Sequence, residues 1–289
     1  MSLPTVGWIG TGVMGRSMAG HLLAAGYPLR VFTRTRERAQ PLLDAGATWA
    51  ESPRAVAEGC EVVCSIVGLP EDVEEVHLGP AGTLAASGSM RLLIDLTTSS
   101  PALARRIAQR AAERGVGAID APVSGGDLGA RNATLSIMCG GEPAAFAQAT
   151  PLLERLGKTI VLQGGPGAGQ HTKMVNQLLI AGTMIGLGEA LAYARHAGLD
   201  PEKVLASVGG GAAASWSLAN LAPRVLKGDF APGFFIEHFV KDLRIALEEA
   251  RRMDLKLPGA DNAARTYADL VAAGHGKAGT QAVVRAYGW

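Results

Sequence analysis

Cysteine, net charge and long apolar runs are all scarce in this chain of 289 residues. Its 3 cysteines form neither a disulfide framework nor a CxxC pair for zinc, and so sparse a set is typical of a reducing compartment. The 27 basic and 26 acidic side chains nearly cancel, which argues against nucleic-acid or anionic-membrane binding driven by positive charge.

Signals for export or membrane insertion are also lacking. The longest apolar run, residues 178–188, is roughly half as long as a helix that spans a bilayer. Residues 1–9 lack the basic and apolar segments of a secretory signal. The 6 histidines show neither H-x-x-x-H nor H-E-x-x-H, so no metal site is expected. These absences together predict a cytoplasmic protein with no membrane or nucleic-acid partner.

Glycine, by contrast, is abundant. It accounts for 38 of the 289 residues, nearly twice the ordinary share of about 7%. The glycines follow no fixed period, which excludes a collagen-like chain. Because 48% of residues are hydrophobic and 18% are charged, the chain can bury a sizeable core. The glycines therefore indicate many tight turns and close backbone approaches in a globular protein.

Short apolar runs alternate with helical patterns in the first half of the chain. The predicted strands are residues 6–9, 29–33, 62–67, 92–95, 116–121, 135–139 and 159–162. The predicted helices are residues 14–25, 36–44 and 101–114, the last with Ser100 as its N-cap. Strands that alternate with helices of about ten residues or more predict a parallel, doubly wound sheet.

A Gly/Pro cluster at residues 163–167 ends this alternation. Only helical patterns are convincing beyond it. They cover residues 170–197, 201–208, 236–253, 259–273 and 280–287. We therefore predict an α/β domain over residues 1–165 and an all-α domain over residues 166–289.

The first predicted strand runs directly into Gly10-Thr11-Gly12-Val13-Met14-Gly15, which has the spacing G-x-G-x-x-G. Between a strand and a helix this spacing is typical of a Rossmann-type dinucleotide site. Gly10 permits the tight turn, Gly12 lets the backbone approach a pyrophosphate, and Gly15 lets helix and strand pack closely. The helix N-terminus offers free N–H groups to the phosphates. The alternative is a glycine turn that only connects strand to helix.

The second predicted strand is followed by Thr33-Arg34-Thr35-Arg36, where NAD sites usually carry an Asp or Glu. A guanidinium there suits the 2′-phosphate of NADP through charge-assisted hydrogen bonds. We predict a preference for NADP, with Arg34 as the main contact and NAD as the other possible cofactor. The alternative is a solvated helix start in which Arg36 is simply exposed.

Two further loops follow later strands, at the sheet edge where cofactors bind. Leu69-Pro70 follows residues 62–67, and Thr97-Thr98 follows residues 92–95. These loops are candidates to line the nicotinamide side of the cofactor. By spacing alone, Thr97 and Thr98 fit equally well as capping residues for the helix that begins at Pro101.

Lys173 lies near the start of the long, largely apolar helix that follows the Gly/Pro cluster. A lysine that is partly desolvated in a cleft has its pKa lowered, and it can then exchange a proton at neutral pH. Asn176, three residues on, shares its helix face and can orient a substrate oxygen. The alternative is a lysine whose ammonium group snorkels to solvent.

Two smaller motifs complete the candidate site. Ser124-Gly125-Gly126 follows a predicted strand and can present a hydroxyl and N–H groups to a carboxylate, or it can be an ordinary loop. Lys241-Asp242 opens a helical run, where it can be a solvated helix start or can reach into a cleft between the domains.

Four motifs in this order closely resemble the β-hydroxyacid dehydrogenase family. This family includes 3-hydroxyisobutyrate dehydrogenase, tartronate semialdehyde reductase and glyoxylate/succinic semialdehyde reductases. They are Gly10 to Gly15, Asp120 to Gly126, Gly167 to Asn176 and Lys241 to Leu243. The resemblance covers essentially the whole chain.

This resemblance implies an oxidoreductase that transfers a hydride between a nicotinamide cofactor and a small 3-hydroxy acid or its semialdehyde. It implies that Lys173 is the catalytic acid/base and that Lys241 closes the cofactor site. It also implies that Ser124, Gly125, Gly126 and Asn176 hold a small carboxylate substrate. A homodimer or homotetramer built through the helical domain is implied as well.

Departures from the family pattern leave the substrate open. Gly279-Thr280-Gln281-Ala282 differs from the Asp-x-Ser type sequence of better-known members. Thr33-Arg34-Thr35 resembles the NADP-using reductases.

Two other functions remain as alternatives. One is an imine reductase, since imine reductases share the architecture but lack the lysine found here at residue 173. The other is a scaffold that binds the cofactor without catalysis.

Overall fold

The computed structural model describes residues 3–289 of the protein. The chain divides between Lys173 and Met174 into two compact units. This division falls inside one long helix, α8, which spans Ala168–His196.

The first unit is built on one mixed sheet of nine strands within the described residues. The strands are β1 (Val6–Ile9), β2 (Leu29–Phe32), β3 (Thr48–Trp49), β4 (Val62–Ser65), β5 (Leu92–Asp95), β6 (Gly117–Asp120), β7 (Val123–Ser124), β8 (Leu135–Gly141) and β9 (Gly157–Gly164). The helices before α8 are α1 (Gly15–Ala24), α2 (Gln40–Asp44), α3 (Pro53–Glu58), α4 (Pro70–Leu78), α5 (Pro101–Ala112), α6 (Gly126–Arg131) and α7 (Pro143–Leu153).

Six strands form a parallel sheet in the order β3-β2-β1-β4-β5-β6. Val6 of β1 lies opposite Leu29 of β2 on one side and Val62 of β4 on the other. All four residues of β1 are buried, as expected of a central strand covered on both faces. The predicted Rossmann-type, doubly wound arrangement is confirmed, and its strand order reverses between β1 and β4.

The far edge of the sheet departs from parallel pairing. β6 and β7 are consecutive extended segments separated by Ala121 and Pro122, and β8 returns antiparallel beside both. β9 then pairs parallel to β8. The connection from β6 to β8 holds only β7 and the six-residue helix α6, whereas a parallel crossover needs a longer helix.

Alternate residues of the strands fill two cores on opposite faces of the sheet. Trp8 packs with Met18 and Leu22 on one face. Its neighbour Ile9 packs with Val56 on the other face. This two-residue alternation follows from strand geometry, and it fixes the direction in which each strand end presents its side chains.

The second unit is helical apart from an isolated bridge between Phe235 and Gly279, within the part that the structure describes. Beyond α8 its elements are α9 (Pro201–Val208), α10 (Trp216–Leu226), α11 (Ile236–Arg252) and α12 (Pro258–Leu270). The predicted α-helix at residues 280–287 is instead a 3-10 helix, Thr280–Tyr287. The core centres on Met184, Phe239 and Tyr267.

Helix α8 is longer than the apolar run within it, with 29 residues and a mean hydropathy of 1.3 in its most apolar window. By length and composition it passes the test for a membrane span, a test that core helices of soluble proteins also pass. Ala181, Met184 and Ile185 on this helix are buried in the core of the second unit. In the most apolar window of α8, 39% of the residues are buried inside the protein.

The three cysteines are free and buried. Burial raises the pKa of Cys60 to about 11 and the pKa values of Cys64 and Cys139 to about 12. Cys64 lies within β4 and Cys60 just before it, and both pack among buried apolar side chains.

Candidate active site

In the glycine-rich loop between β1 and α1, steric contacts within the protein require glycine at two of the three glycine positions. Gly10 has a φ of +96°, and a Cβ there would lie 2.0 Å from the carbonyl oxygen of Ile66. A Cβ on Gly15 would lie 2.2 Å from the carbonyl oxygen of Gly10. Gly12 is exposed and has nothing within 4 Å of a Cβ. Nothing in the described chain therefore demands glycine at residue 12, whereas a closely approaching pyrophosphate would.

The surroundings of this loop fit a dinucleotide. The Thr11 hydroxyl is buried and has no hydrogen-bond partner within the described residues. The N-cap position of α1, Met14, supplies no side-chain cap to the helix N–H groups. A phosphate group would supply acceptors for such donors and would interact favourably with the helix dipole.

Arg34 lies just past β2, exposed, with a guanidinium nitrogen 2.9 Å from a carboxylate oxygen of Asp72. Arg36 lies nearby, with its Cζ atom 5.1 Å from the centre of the Trp49 ring. The Arg34 guanidinium has five N–H donors, so one contact to Asp72 leaves donors for a phosphate.

The two predicted cofactor loops are tied to the sheet and to each other. Leu69 directly precedes α4, whose first residue is Pro70. The N–H of Leu69 donates to the Asp72 carboxylate. The Thr97 hydroxyl accepts a hydrogen bond from the N–H of Val67 at 3.0 Å. The capping alternative for Thr97 and Thr98 is wrong, because the Ser100 hydroxyl caps α5.

Lys173 is buried, with 7% of its surface exposed. Its ammonium nitrogen lies 2.8 Å from the Val123 carbonyl oxygen, to which it donates a hydrogen bond. The alternative of a lysine that snorkels to solvent is therefore wrong. The contact brings Lys173 to the residue directly before Ser124.

The Ser124-Gly125-Gly126 loop joins β7 to α6 through two left-handed residues. Gly125 has a φ of +130° and Gly126 a φ of +63°. Side chains other than glycine rarely adopt these values, so this loop conformation needs glycine at both positions. The loop and Lys173 are thus the predicted site residues that the first unit brings together beside β7.

Asp120 anchors the start of the helix that carries Lys173, a role that the sequence motifs did not reveal. Its carboxylate accepts hydrogen bonds from the N–H of Gly167 at 2.7 Å and of Gln170 at 2.9 Å. A Cβ on Gly140 would lie 2.6 Å from this carboxylate, and a Cβ on Gly169 2.9 Å from it. The helix start is therefore tightly enclosed.

Gln170 is fully buried and anchors the same turn to the loop after β5. Its side-chain oxygen accepts from the N–H of Ser99 at 2.9 Å, and its side-chain nitrogen donates to the Thr97 carbonyl at 2.7 Å. An amide that uses both ends on backbone groups fixes the loop and the helix relative to each other. The turn before Lys173 is therefore held at two points.

Burial raises the pKa of Asp120 to about 7 from an ordinary 3.8, although the Gly167 and Gln170 N–H groups favour its ionised form. The folded protein therefore holds this proton between about pH 4 and 7, where the unfolded chain has released it. Through this group, stability rises as pH falls across that window. We expect Asp120→Asn to abolish this gain, so that wild type becomes relatively more stable from pH 7.5 to pH 5.

Thermal unfolding of both proteins at several pH values measures this difference, because shifts from all other carboxyl groups cancel in the comparison. Parallel pH dependences of the two melting temperatures would show that Asp120 does not titrate in this range.

Asn176 and Lys241 belong to one hydrogen-bonded chain in the second unit. The Asn176 amide donates to Gln177 at 2.8 Å, and Gln177 donates to the Asp242 carboxylate at 2.6 Å. Lys241 pairs with Asp242 at 3.0 Å, and both are buried. The alternative of a solvated helix start at Lys241 and Asp242 is wrong, and Gln177 is a further residue that the motifs missed.

His238 lies one turn before this ion pair on α11, where burial and the nearby Lys241 charge lower its pKa.

Within residues 3–289 no three His, Cys, Asp or Glu side chains are grouped so that they could hold a metal ion.

Two protein-family models match consecutive parts of the chain. Residues 5–165 match the NAD-binding domain of 6-phosphogluconate dehydrogenase. Residues 167–287 match the NAD-binding region of NADP-dependent 3-hydroxyisobutyrate dehydrogenase. The chain belongs to the β-hydroxyacid dehydrogenase family. Relatives within this family are similar to it over nearly their whole length.

An uncharacterized oxidoreductase of Bacillus subtilis is 50% identical over 281 residues, which cover 97% of this chain and 98% of that protein. The 2-hydroxy-3-oxopropionate reductase of Escherichia coli is 39% identical over 281 residues, 97% of this chain and 96% of that enzyme. The solved structure of Mycobacterium tuberculosis 3-hydroxyisobutyrate dehydrogenase with L-serine has a TM-score of 0.87 and 31% identity, and the match covers 98% and 99% of the two chains.

Membership of the β-hydroxyacid dehydrogenase family makes the chain an NAD(P)-dependent oxidoreductase that acts on CH–OH groups. This finding contradicts the scaffold alternative. The likeness to an imine reductase from Myxococcus stipitatus, with a TM-score of 0.63 and 23% identity, shows a shared fold alone.

Proposed function

We propose that this β-hydroxyacid dehydrogenase interconverts a small 3-hydroxy acid and its semialdehyde in the cytoplasm, with NADP as its preferred cofactor. One observation carries the proposal. The buried Lys173 ammonium donates to the carbonyl of Val123, so it lies beside the Ser124-Gly125-Gly126 loop. A proton donor and a candidate carboxylate-binding loop are thereby adjacent, which is the pair of groups that reduction of a carboxylate-bearing carbonyl needs.

In the proposed mechanism, Lys173 gives its proton to the substrate oxygen during reduction and recovers it during oxidation. A nicotinamide cofactor held by the glycine-rich loop would supply or accept the hydride. Ser124 and the N–H groups of Gly125 and Gly126 hold the carboxylate, and Asn176 orients the reacting oxygen. Because Lys173 is buried, its charge acts in a medium of low dielectric, where it stabilises a developing alkoxide more than it would in water.

The proposed cofactor contacts come from loops at the carboxyl ends of the strands and from one lysine of the second unit. They are Gly10, Thr11, Gly12, Val13, Met14, Gly15, Thr33, Arg34, Thr35, Leu69, Pro70, Thr97, Thr98 and Lys241. The orphaned Thr11 hydroxyl and the open space at Gly12 support the phosphate part of this set.

We further propose that residues 1–165 form the cofactor domain and residues 166–289 the substrate and oligomerisation domain. The two matched family regions support this boundary. A homodimer or homotetramer through the helical domain is supported by an exposed face of α8 on which Val175, Leu179 and Tyr193 are 56%, 70% and 76% exposed. Light scattering of the purified protein distinguishes these states from a monomer.

The preference for NADP is tested at Arg34. We expect Arg34→Ala to lower the ratio of kcat/KM for NADPH to that for NADH by about 10- to 100-fold, because a charge-assisted hydrogen bond contributes about 1.5–3 kcal/mol. Arg38→Ala is the matched control, since Arg38 is another exposed arginine in the next turn. Equal ratios in the two variants, or a wild-type preference for NADH, would refute the role of Arg34.

The substrate class is tested with a panel of C3 and C4 aldehydes and 3-hydroxy acids, with NADPH, NADP, NADH and NAD followed by absorbance. Cyclic imines belong in the same panel, because the imine reductase alternative shares the fold. Turnover of the imines without turnover of any hydroxy acid or semialdehyde would reverse the proposal.

A further inference from the structure

Four polar side chains form a continuous hydrogen-bonded chain inside the first unit. The Ser65 hydroxyl lies 2.8 Å from the Asp95 carboxylate and 2.9 Å from Nε2 of His77. Nδ1 of His77 lies 2.9 Å from the Thr83 hydroxyl. Ser65, His77 and Thr83 have no exposed surface, and Asp95 is 5% exposed. The network is almost completely buried, and all four of its groups are costly to bury.

The hydrogen bonds in this network can all have a consistent donor-to-acceptor order. Ser65 donates to Asp95, so its oxygen accepts from Nε2–H of His77, and Nδ1 accepts from Thr83. Burial lowers the pKa of His77 to about 3, which keeps the imidazole neutral as this pattern requires. Because the serine hydroxyl lies between the imidazole and the carboxylate, the order differs from that of a hydrolase triad.

This hydrogen-bonded network of side chains ends where the proposed cofactor loops begin. Ser65 is the last residue of β4 and Asp95 the last of β5, next to the point where the strand order reverses. Ligands of doubly wound sheets bind outside this end of the strands. The Asp95 oxygen that accepts from Ser65 also accepts from the N–H of Thr97 at 3.1 Å.

From Thr97 the contacts continue to the helix of Lys173. The Thr97 hydroxyl holds the N–H of Val67, and its carbonyl accepts from Gln170. Gln170 is one turn before Lys173 on α8. An unbroken path of hydrogen bonds thus joins His77 to both nicotinamide-side loops and to the first turn of α8.

We propose that Ser65 and His77 are positioning residues, which act through Asp95, Thr97 and Gln170 to hold the nicotinamide-side loops and the Lys173 helix in register for hydride transfer. The proposal rests on the proposed function. Small displacements of reacting groups cost large factors in rate, so a rigid buried link can matter more for kcat than for binding. An apolar core would fill the same space without fixing the Thr97 N–H.

Four variants test the proposal. Ser65→Ala and His77→Leu remove links, and His77→Gln keeps a donor and an acceptor. Val73→Ala is the matched control, because Val73 is fully buried on α4 with an apolar side chain. We expect the first two to lower kcat about tenfold with the KM for NADPH within about twofold. His77→Gln should recover most of kcat, and Val73→Ala should retain it despite lower stability.

A second measurement needs neither substrate nor cofactor. Hydrogen–deuterium exchange of the free protein should be about tenfold faster at the amides of Val67, Thr97 and Ser99 in Ser65→Ala and His77→Leu. Val73→Ala should not show this pattern. If His77→Leu fails to fold, Ser65→Ala and Thr83→Val still remove single links.

Different results would refute the proposed function and the positioning role. Absence of NADPH-dependent turnover by wild type on the panel refutes the proposed function, and the exchange data still decide whether the link holds the loops. Turnover by wild type with kcat values of Ser65→Ala and His77→Leu equal to that of Val73→Ala refutes the positioning role alone. Faster exchange confined to α4 does the same.

Discussion

Lys173→Met is expected to lower kcat by about 10²- to 10⁴-fold while NADPH still binds with nearly unchanged Kd. Methionine keeps most of the side-chain volume beside β7 but carries no proton to give or accept. The glycine-rich loop that we assign to phosphate binding lies elsewhere in the first unit, so binding should persist. Single-turnover absorbance measures the chemical step, and quenching or enhancement of NADPH fluorescence measures Kd.

Lys158→Met serves as the control for this substitution, because Lys158 is an exposed lysine of β9 in the same unit. Its kcat should match that of wild type. A Lys173→Met enzyme with kcat within threefold of wild type would remove the basis for the proposed acid/base role. Restoration of turnover by an added primary amine in Lys173→Ala, whose shorter side chain leaves space for the amine, would support it strongly.

Gly12→Ala is expected to weaken NADPH binding by about 10- to 100-fold and to leave the melting temperature nearly unchanged. A Cβ at residue 12 meets nothing within 4 Å in the protein, so folding should tolerate it. The methyl group would occupy the space through which a pyrophosphate approaches the backbone N–H groups. Isothermal titration with NADPH and thermal unfolding together separate these two effects.

Gly20→Ala is the matched control on α1, where the nearest atom to a Cβ is Cδ2 of Leu42 at 3.9 Å. Alanine favours the helix over glycine, so this variant should be as stable as wild type or slightly more stable, with unchanged Kd. If Gly12→Ala bound NADPH as tightly as Gly20→Ala, the phosphate site would have to lie elsewhere.

Local motifs predicted the conformation of the glycine-rich loop and the cap of α5, because these features depend on a few adjacent residues. The tight turn at Gly10 and the close helix–strand packing at Gly15 follow from their spacing after a strand, and the structure shows both. Ser100 likewise caps α5 as its place before Pro101 predicts. A structural feature that is determined by residues adjacent in sequence can be predicted from the sequence.

Other parts of the site depend on contacts between distant residues, which periodicity does not reveal. Asp120 and Gly167 are 47 positions apart, and Gln177 and Asp242 are 65 apart. Their partners become visible only after the sheet and helices have formed. The burial of Lys173 is of the same kind, since its carbonyl partner Val123 is 50 positions away.

Several helices escaped prediction for a different reason. Pro151 lies within α7 and Pro223 within α10, and an internal proline is typical of a helix break. Both helices nevertheless continue past the proline, α7 to Leu153 and α10 to Leu226. The two-residue strand β7 is too short for any alternation to show, although it supplies the carbonyl that holds Lys173.

The enclosed thiols of this enzyme make it a convenient host for site-directed labelling. With pKa values of about 11 to 12, Cys60, Cys64 and Cys139 carry almost no nucleophilic thiolate at neutral pH. A maleimide or a spin-label reagent should therefore not react with the three native cysteines and should modify only a cysteine introduced at the surface. Distances across the molecule can then be measured by fluorescence or electron paramagnetic resonance without first removing any natural residue.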